Sequence, residues 1–180
     1  MNDRRVALLR GVNVGKAKRV AMADLRKLVE ALGYDDVRTL LNSGNVVFTV
    51  RAGTPGDAAT RIEKAIATRL GVDTRVTVLK AKEVAIAVRG NPLAAIADDP
   101  SRLLVMASPD PKDLALLKPL LKKRWAPEAF ALGPRVAYLW CAEGLINSPL
   151  WDAASRELRD TGTARNLATM SKLLALMEGS

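Results

Sequence analysis

Val6-Ala7-Leu8-Leu9-Arg10-Gly11-Val12-Asn13-Val14-Gly15-Lys16-Ala17-Lys18-Arg19 carries an apolar run straight into a loop of two glycines and several cations. A buried strand that empties into such a loop ahead of a helix has the make-up of an anion-binding corner, because glycines let backbone N–H groups approach a ligand and cations supply the field. Two further polar clusters stand out. Asn42-Ser43-Gly44-Asn45 separates two β-like runs, and Arg165-Asn166-Leu167-Ala168-Thr169-Met170-Ser171-Lys172 leads into the last helix.

Working outward from the first stretch, periodicity predicts a strand at 5–12, a helix at 21–32, strands at 36–41 and 45–50, a helix at 56–70, a strand at 74–80 and a helix at 81–89. Leu25, Leu28, Val29 and Leu32 fall at helical spacing with Gly33 as a stop; Ile62, Ala65, Ile66, Arg69 and Leu70 repeat the pattern ahead of Gly71. Asn91-Pro92 and Asp98-Asp99-Pro100 bracket a connection at 91–101. The order then recurs: strand 102–107, helix 110–123, strands 128–132 and 135–140, helix 148–159, strand 162–165 and helix 167–178. Asp35-Asp36, ahead of the second strand, reads as a solvated turn.

A β-α-β-β-α-β unit closes most simply as a four-stranded antiparallel sheet with both helices on one face, the ferredoxin-like arrangement, because right-handed crossovers leave room for a third strand between the first two. The expected fold class is therefore α+β. Two such units are expected, one over residues 1–90 and one over 102–180 including the C-terminal helix. In each, the first and second strands run parallel, so the Gly11–Lys18 loop and the Asn42–Asn45 turn should be neighbours at one end of the first sheet. The bland alternative for Asn42–Asn45 is a hairpin turn in which Gly44 supplies a positive φ.

Composition bounds the partners. Residues 1–90 hold 17 Lys+Arg and 9 Asp+Glu, a net +8, whereas residues 91–180 hold the remaining 11 and 10, a net +1, of the total +9. This field favours anionic small molecules, nucleic acid or acidic proteins, against the plainer reading of a solvated surface. The chain has no histidine, which removes Ser-His-Asp and Cys-His nucleophiles, His-ligated zinc and an imidazole base. The lone Cys141 cannot form an intramolecular disulfide and reads as a buried or idle thiol. With no secretory pattern and no run near the roughly 18 apolar residues needed to cross a bilayer, the chain is expected to be soluble and cytoplasmic. No metal is expected, and the sequence names no cofactor, reaction or oligomeric state.

Gly11 to Ala17 fails as a nucleotide P-loop: three residues, not four, separate Gly11 from Gly15, and Ala17 stands where a magnesium-binding hydroxyl is needed. The residues do match another pattern, in Leu9-Arg10-Gly11-Val12-Asn13-Val14-Gly15, Met22-Ala23-Asp24-Leu25, Ser43-Gly44-Asn45-Val46-Val47-Phe48 and Arg165-Asn166 followed by Thr169, Lys172 and Leu173. In these the chain closely resembles the bacterial DUF1697 family, proteins of two ferredoxin-like halves and no assigned function. The resemblance implies the repeated fold, and its pattern falls on Arg10, Gly11, Asn13, Gly15, Ser43, Gly44, Asn45, Arg165, Asn166, Thr169 and Lys172. Lys16 and Ala21 depart from it, standing where relatives usually carry glycine and proline, so the loop should be more cationic and the helix start less fixed. In the second half, the segment Glu143 to Leu150 lacks two cations usual in relatives, at Asn147 and Pro149.

Arg10 at a strand end and Arg165 beside the last helix each offer a fork of donors suited to carboxylate or phosphate. The same two residues could instead pair with acids and staple structure together. Trp125, Trp140, Trp151, Phe48, Phe130 and Tyr138 read as core in preference to a base-stacking platform. The expectation is thus a small anionic ligand, phosphorylated molecules included, at Arg10–Lys18 (Lys16 included) and Asn42–Asn45. Backbone-directed nucleic-acid binding and a protein-interaction role are the alternatives.

Overall fold

The computed structural model describes residues 3–179. Its elements are β1 (Asp3–Leu9), α1 (Met22–Ala31), β2 (Asp35–Thr39), β3 (Asn45–Val50), α2 (Ala58–Leu70), β4 (Val76–Lys80), α3 (Ala81–Arg89), β5 (Leu103–Ala107), a 3-10 helix (Pro111–Lys122), β6 (Ala129–Leu132), β7 (Ala137–Trp140), α4 (Pro149–Leu158), β8 (Thr163–Asn166) and α5 (Leu167–Glu178). Two compact units result: one runs to Ala81 and takes in the chain again from Ala175, and the other is Lys82–Leu174.

The first unit is a four-stranded sheet in the order β2-β3-β1-β4, antiparallel throughout. Alternation along the strands sends Ala7, Leu9, Val46, Phe48 and Val76 into one core with Leu25, Leu28 and Val29 of α1 and Ile62, Ala65 and Ile66 of α2. Tyr34 joins it, its ring 4.7 Å from that of Phe48, with the Arg61 guanidinium 5.2 Å above Tyr34. Asp57 starts α2 by accepting from Thr60 N at 3.0 Å, and Gly71 ends it in the left-handed conformation. Val6, Leu8, Val47, Thr77 and Leu79 point the other way and are also buried, each no more than 3% exposed.

The second unit repeats the plan, with strand order β6-β7-β5-β8 and antiparallel pairing. Leu104, Met106, Ala137 and Leu139 meet Leu114, Leu117 and Leu120 of the 3-10 helix and Leu150, Ala154 and Leu158 of α4. Leu103, Val105, Ala107, Tyr138 and Trp140 on the opposite face are buried as well. Tyr138 donates to Ala87 O at 2.6 Å and Arg135 approaches Glu83 at 3.6 Å, so α3 packs within this unit. Ser148 caps α4, accepting from Trp151 N at 2.9 Å while its hydroxyl donates to Glu128.

Three expectations need correction. The segment expected as an α-helix at 110–123 is a 3-10 helix: its buried leucines recur every third residue, matching three residues per turn, and Pro119 inside it has no N–H to give an α-helical ladder. β1 ends at Leu9 and not at 12, because Gly11 turns to φ 64. Asp35 and Asp36 are not a solvated turn but open β2, where a register irregularity follows and Asp35 pairs with Arg51, Asp36 with Arg4 and Arg38.

Candidate functional site

Parallel β1 and β2 do bring their following loops together. Leu9 N donates to Gly44 O at 2.9 Å, and Asn13 Nδ2 donates to Asn42 O at 2.7 Å. Gly44 holds the junction for two reasons: its φ is 89°, and a Cβ there would stand 2.7 Å from Val12 Cγ2 and 2.9 Å from Leu9 Cβ. A third segment joins them that the residue patterns do not single out. Arg10 N donates to Arg75 O at 2.9 Å and Thr74 Oγ1 donates to Arg10 O at 2.7 Å, so residues 71–75 form the third wall of the corner. The signal for it is topological, since the start of an antiparallel β4 must lie beside the end of β1.

Within the corner the asparagines build the frame. Asn13 clasps its own loop, accepting from Val20 N at 2.9 Å and donating to Val20 O at 2.8 Å, while Asn13 N donates to Lys18 O at 3.0 Å. Asn45 is fully buried; its Nδ2 donates to Leu40 O at 2.8 Å and Ser43 Oγ at 2.9 Å, and closes the hairpin together with Leu40 N to Asn45 O at 3.0 Å. These bonds hold the loop in an unusual shape. The sign of φ alternates, positive at Gly11 (64°), Asn13 (57°) and Gly15 (65°) and negative at Val12 and Val14 between them. Where the negative-φ partners are right-handed helical, such alternation makes the concave N–H arrangement known as a nest; the Asn13 N–H within this run is taken by Lys18 O.

The electrostatics of this unit are polarised. Three of its acids, Asp3, Asp35 and Asp36, sit at the start of β1 and β2, where Arg5, Arg51, Arg4 and Arg38 pair with them, while Asp73 lies exposed in the corner. The hydrogen bond from Arg5 holds the Asp3 carboxyl below its ordinary value against a smaller opposing effect of burial, and that from Arg51 does the same for Asp35. At the other end, Lys16, Lys18, Arg19 and Arg75 are exposed and make no ion pair among the described residues. Arg10 is half-buried between these segments.

Arg165, Asn166, Thr169 and Lys172 belong to the second unit. Arg165 is 8% exposed and donates to Thr163 Oγ1 and Ala164 O, both at 2.9 Å. Burial pulls its guanidinium down to about 10, which leaves it protonated at neutral pH. Asn166 Oδ1 accepts from Thr169 N at 2.8 Å and thereby caps α5; Lys172 lies exposed one turn on. Cys141 is buried, and burial raises its thiol above the ordinary value, opposite to what a nucleophile needs. No group of three or more His, Cys, Asp or Glu that could hold a metal occurs among the described residues. Nor is any helix among them long and apolar enough to cross a membrane.

Fold and site together define a mixed α/β protein of two four-stranded antiparallel sheets, each packed with helices, with a cationic loop corner on the first. Residues 2–138 match the protein family of unknown function DUF1697, and the chain belongs to that family. The matched span contains the whole corner, and the Arg165–Lys172 cluster lies beyond it. The fold is shared with the conserved bacterial protein SP0830 from Streptococcus pneumoniae, at 22% identity over 99% of each chain and a TM-score of 0.76. No curated protein matches the sequence significantly.

Proposed function

We propose that the corner formed by residues 10–19, 41–44 and 71–75 binds a small anionic ligand carrying phosphate or carboxylate. The observation that carries this reading is the alternation of φ from Gly11 to Gly15 beside exposed cations. A nest offers partial positive charge from backbone dipoles, and Lys16, Lys18, Arg19 and Arg75 add full charges around it. Arg10 supplies a planar fork, Ser43 an exposed hydroxyl, and Asn13, Gly44 and Asn45 keep the walls in register. The carboxylate within these bounds is the exposed Asp73, and the reading is one of binding and assigns no reaction.

The four-stranded sheet that RNA-recognition domains use for stacking favours this reading over its nucleic-acid alternative. Here the central strands are buried on both faces, Phe48, Tyr138 and Trp140 included, which leaves those rings no open face for a base. Backbone contact at the same cations is the version of nucleic-acid binding that survives. The recurrence of strand order in the two units supports a duplicated ferredoxin-like ancestry. A single buried thiol accords with a reducing cytoplasmic setting.

The test is thermal unfolding with inorganic phosphate or pyrophosphate against chloride at equal ionic strength. The phosphates should raise Tm, and Arg10→Ala or Lys16→Ala should remove the rise while the unliganded Tm stays near that of the parent. Loss of folding in Arg10→Ala, or a rise that persists in both variants, would sink the proposal. A parallel salt titration with single-stranded RNA should show binding that collapses between low and physiological salt.

A further inference from the structure

The two units end their second long helix differently. α2 stops at Gly71, φ 66° and ψ 22°, the ordinary left-handed cap. α4 stops at Arg159, φ 51° and ψ −122°, a conformation that is strained for any residue with a Cβ. The turn around Arg159 is firmly held: Thr161 N and Oγ1 both donate to Leu158 O, at 3.1 and 2.7 Å. Gly162 lies so close to Leu158 that a Cβ would stand 2.6 Å from its Cδ1. The chain thus keeps an arginine where glycine would be less strained.

The residue so placed lines a cavity of about 500 Å³ between the 3-10 helix and the end of α4, within the size range of small-molecule sites. Its charged lining balances, with Arg156 and Arg159 beside Asp113 and Glu157 among the residues that surround it. Arg156 makes no hydrogen bond or ion pair among the described residues, so its donors are open to a ligand. Asp113 is fixed by Ser108, whose hydroxyl donates to Oδ2 at 2.6 Å, which leaves Oδ1 for another donor. Leu116 and Leu158 supply an apolar wall. The trough in the same place on the first unit is smaller, about 320 Å³, and pairs Lys27 and Arg69 with Asp24 alone among its charges.

A simple anion entering the larger cavity would meet two carboxylates, and a simple cation would meet two guanidiniums. A molecule that carries both charges meets a partner for each. We propose that this cavity binds a small zwitterion of the α-amino-acid type, its carboxylate on Arg156 and Arg159, its ammonium on Asp113 and its aliphatic body against Leu116 and Leu158. The strain at Arg159 is then the means by which the second guanidinium reaches the rim.

The probes are L-leucine, 4-methylpentanoate, which lacks the ammonium, and isoamylamine, which lacks the carboxylate. Saturation-transfer NMR on the full chain should detect leucine, with the two analogues bound about tenfold more weakly, the loss expected for one charge-assisted contact. Arg156→Glu and Asp113→Asn should each raise the leucine Kd by about the same factor. Arg159→Gly should raise the Tm of the unliganded protein by relieving the turn and also weaken leucine binding, a pair of effects that a merely structural arginine would not give. No leucine signal, 4-methylpentanoate binding as tightly as leucine, or leucine binding untouched by Arg156→Glu and Arg159→Gly would each overturn the assignment. None of these outcomes bears on the phosphate test of the first unit.

Discussion

At the end of β1 the first unit opens a long loop from Arg10 to Ala21, whereas at the end of β5 the second has only Ser108 to Asp110 before its helix begins. The topologies are the same, but the corners are not. In the second unit the charges are met internally: Ser108 bonds Asp113, Asp110 accepts from Lys112 N at 2.9 Å, and the buried Arg135 of the β6–β7 turn lies 3.6 Å from Glu83, although its Nη1 is buried without a hydrogen-bond partner among the described residues. In the first unit the corresponding cations are exposed, and three acids, Asp3, Asp35 and Asp36, are held in ion pairs at the far end of the sheet, with Asp73 the acid that shares the corner. One framework can therefore carry a closed, internally neutralised corner or an open, positively charged one, and loop length with acid placement decides which. The comparison supports the proposal that the elaborated copy carries the ligand, since strain and exposed charge that do not serve the fold need another reason.

The largest effect that separates the corners is steric. Gly44→Ala combines a positive φ with contacts under 3 Å to Leu9 and Val12, and should destabilise the protein by about 2–4 kcal/mol. Gly133→Ala, in the matching turn of the second unit, meets only the ring edge of Tyr138 at 3.0 Å and Val136 O at 3.3 Å and should cost about 1 kcal/mol. Urea titration of both variants measures the difference. Equal losses would show that the first corner is no more tightly built than the second.

Next is the clasp. Asn13→Ala removes the bonds to Val20 and Asn42 and leaves a residue with a Cβ but no amide at φ 57°, for a loss of about 1–3 kcal/mol. It should also abolish phosphate-induced stabilisation, because the nest loses its shape. Arg10→Ala is expected to lose the ligand response alone. If the two variants behave alike in both measurements, frame and contact are not separate roles.

Helix starts give a smaller contrast. α2 and α4 are capped by Asp57 and Ser148, while α1 begins after Ala21 with no side-chain bond. Ala21→Ser should stabilise the protein by about 0.5–1 kcal/mol, and Ser148→Ala should cost about 1–2 kcal/mol. A neutral Ala21→Ser would mean that the open loop, and not the missing cap, limits the start of α1.

The order of strands and helices was legible because alternation and helical spacing are properties of single segments, as with Val46 to Val50 or Ile62 to Leu70. The adjacency of the loops after β1 and β2 was legible too, since it follows from topology. The 3-10 helix escaped because Leu114, Leu117 and Leu120 satisfy helical spacing loosely and three-residue spacing fully. Asp35 and Asp36 escaped because their partners, Arg51 and Arg4, are distant in sequence. The contribution of Thr74 and Arg75 depends on how β4 pairs with β1, and no local pattern carries it. The division of labour among the asparagines was hidden for another reason. The same amide can face a ligand or a backbone carbonyl, and φ and register decide between them.

The smallest predicted effect concerns the end of the first sheet that faces away from the corner. Asp3 has its folded-state pKa lowered, chiefly by the hydrogen bond from Arg5, and Asp35 by that from Arg51. A lowered carboxylate pKa means that the unfolded chain binds more protons as the pH drops through the ordinary value of 3.8. The contribution is thus complete above that value and is lost as the pH falls through the folded pKa. Because Asp3 is well exposed, solvent screening leaves its share at a few tenths of a kcal/mol. Asp3→Asn and Asp35→Asn should therefore barely alter stability at neutral pH and should flatten the acid limb slightly. The same variants raise the net charge of the first unit, yet at physiological salt they should leave phosphate binding at the opposite end unchanged, because a Debye length of about 8 Å screens the distance. A marked gain in phosphate affinity would show that the far-end acids restrain the corner's field, and that its positive character belongs to the whole unit and not to the loop.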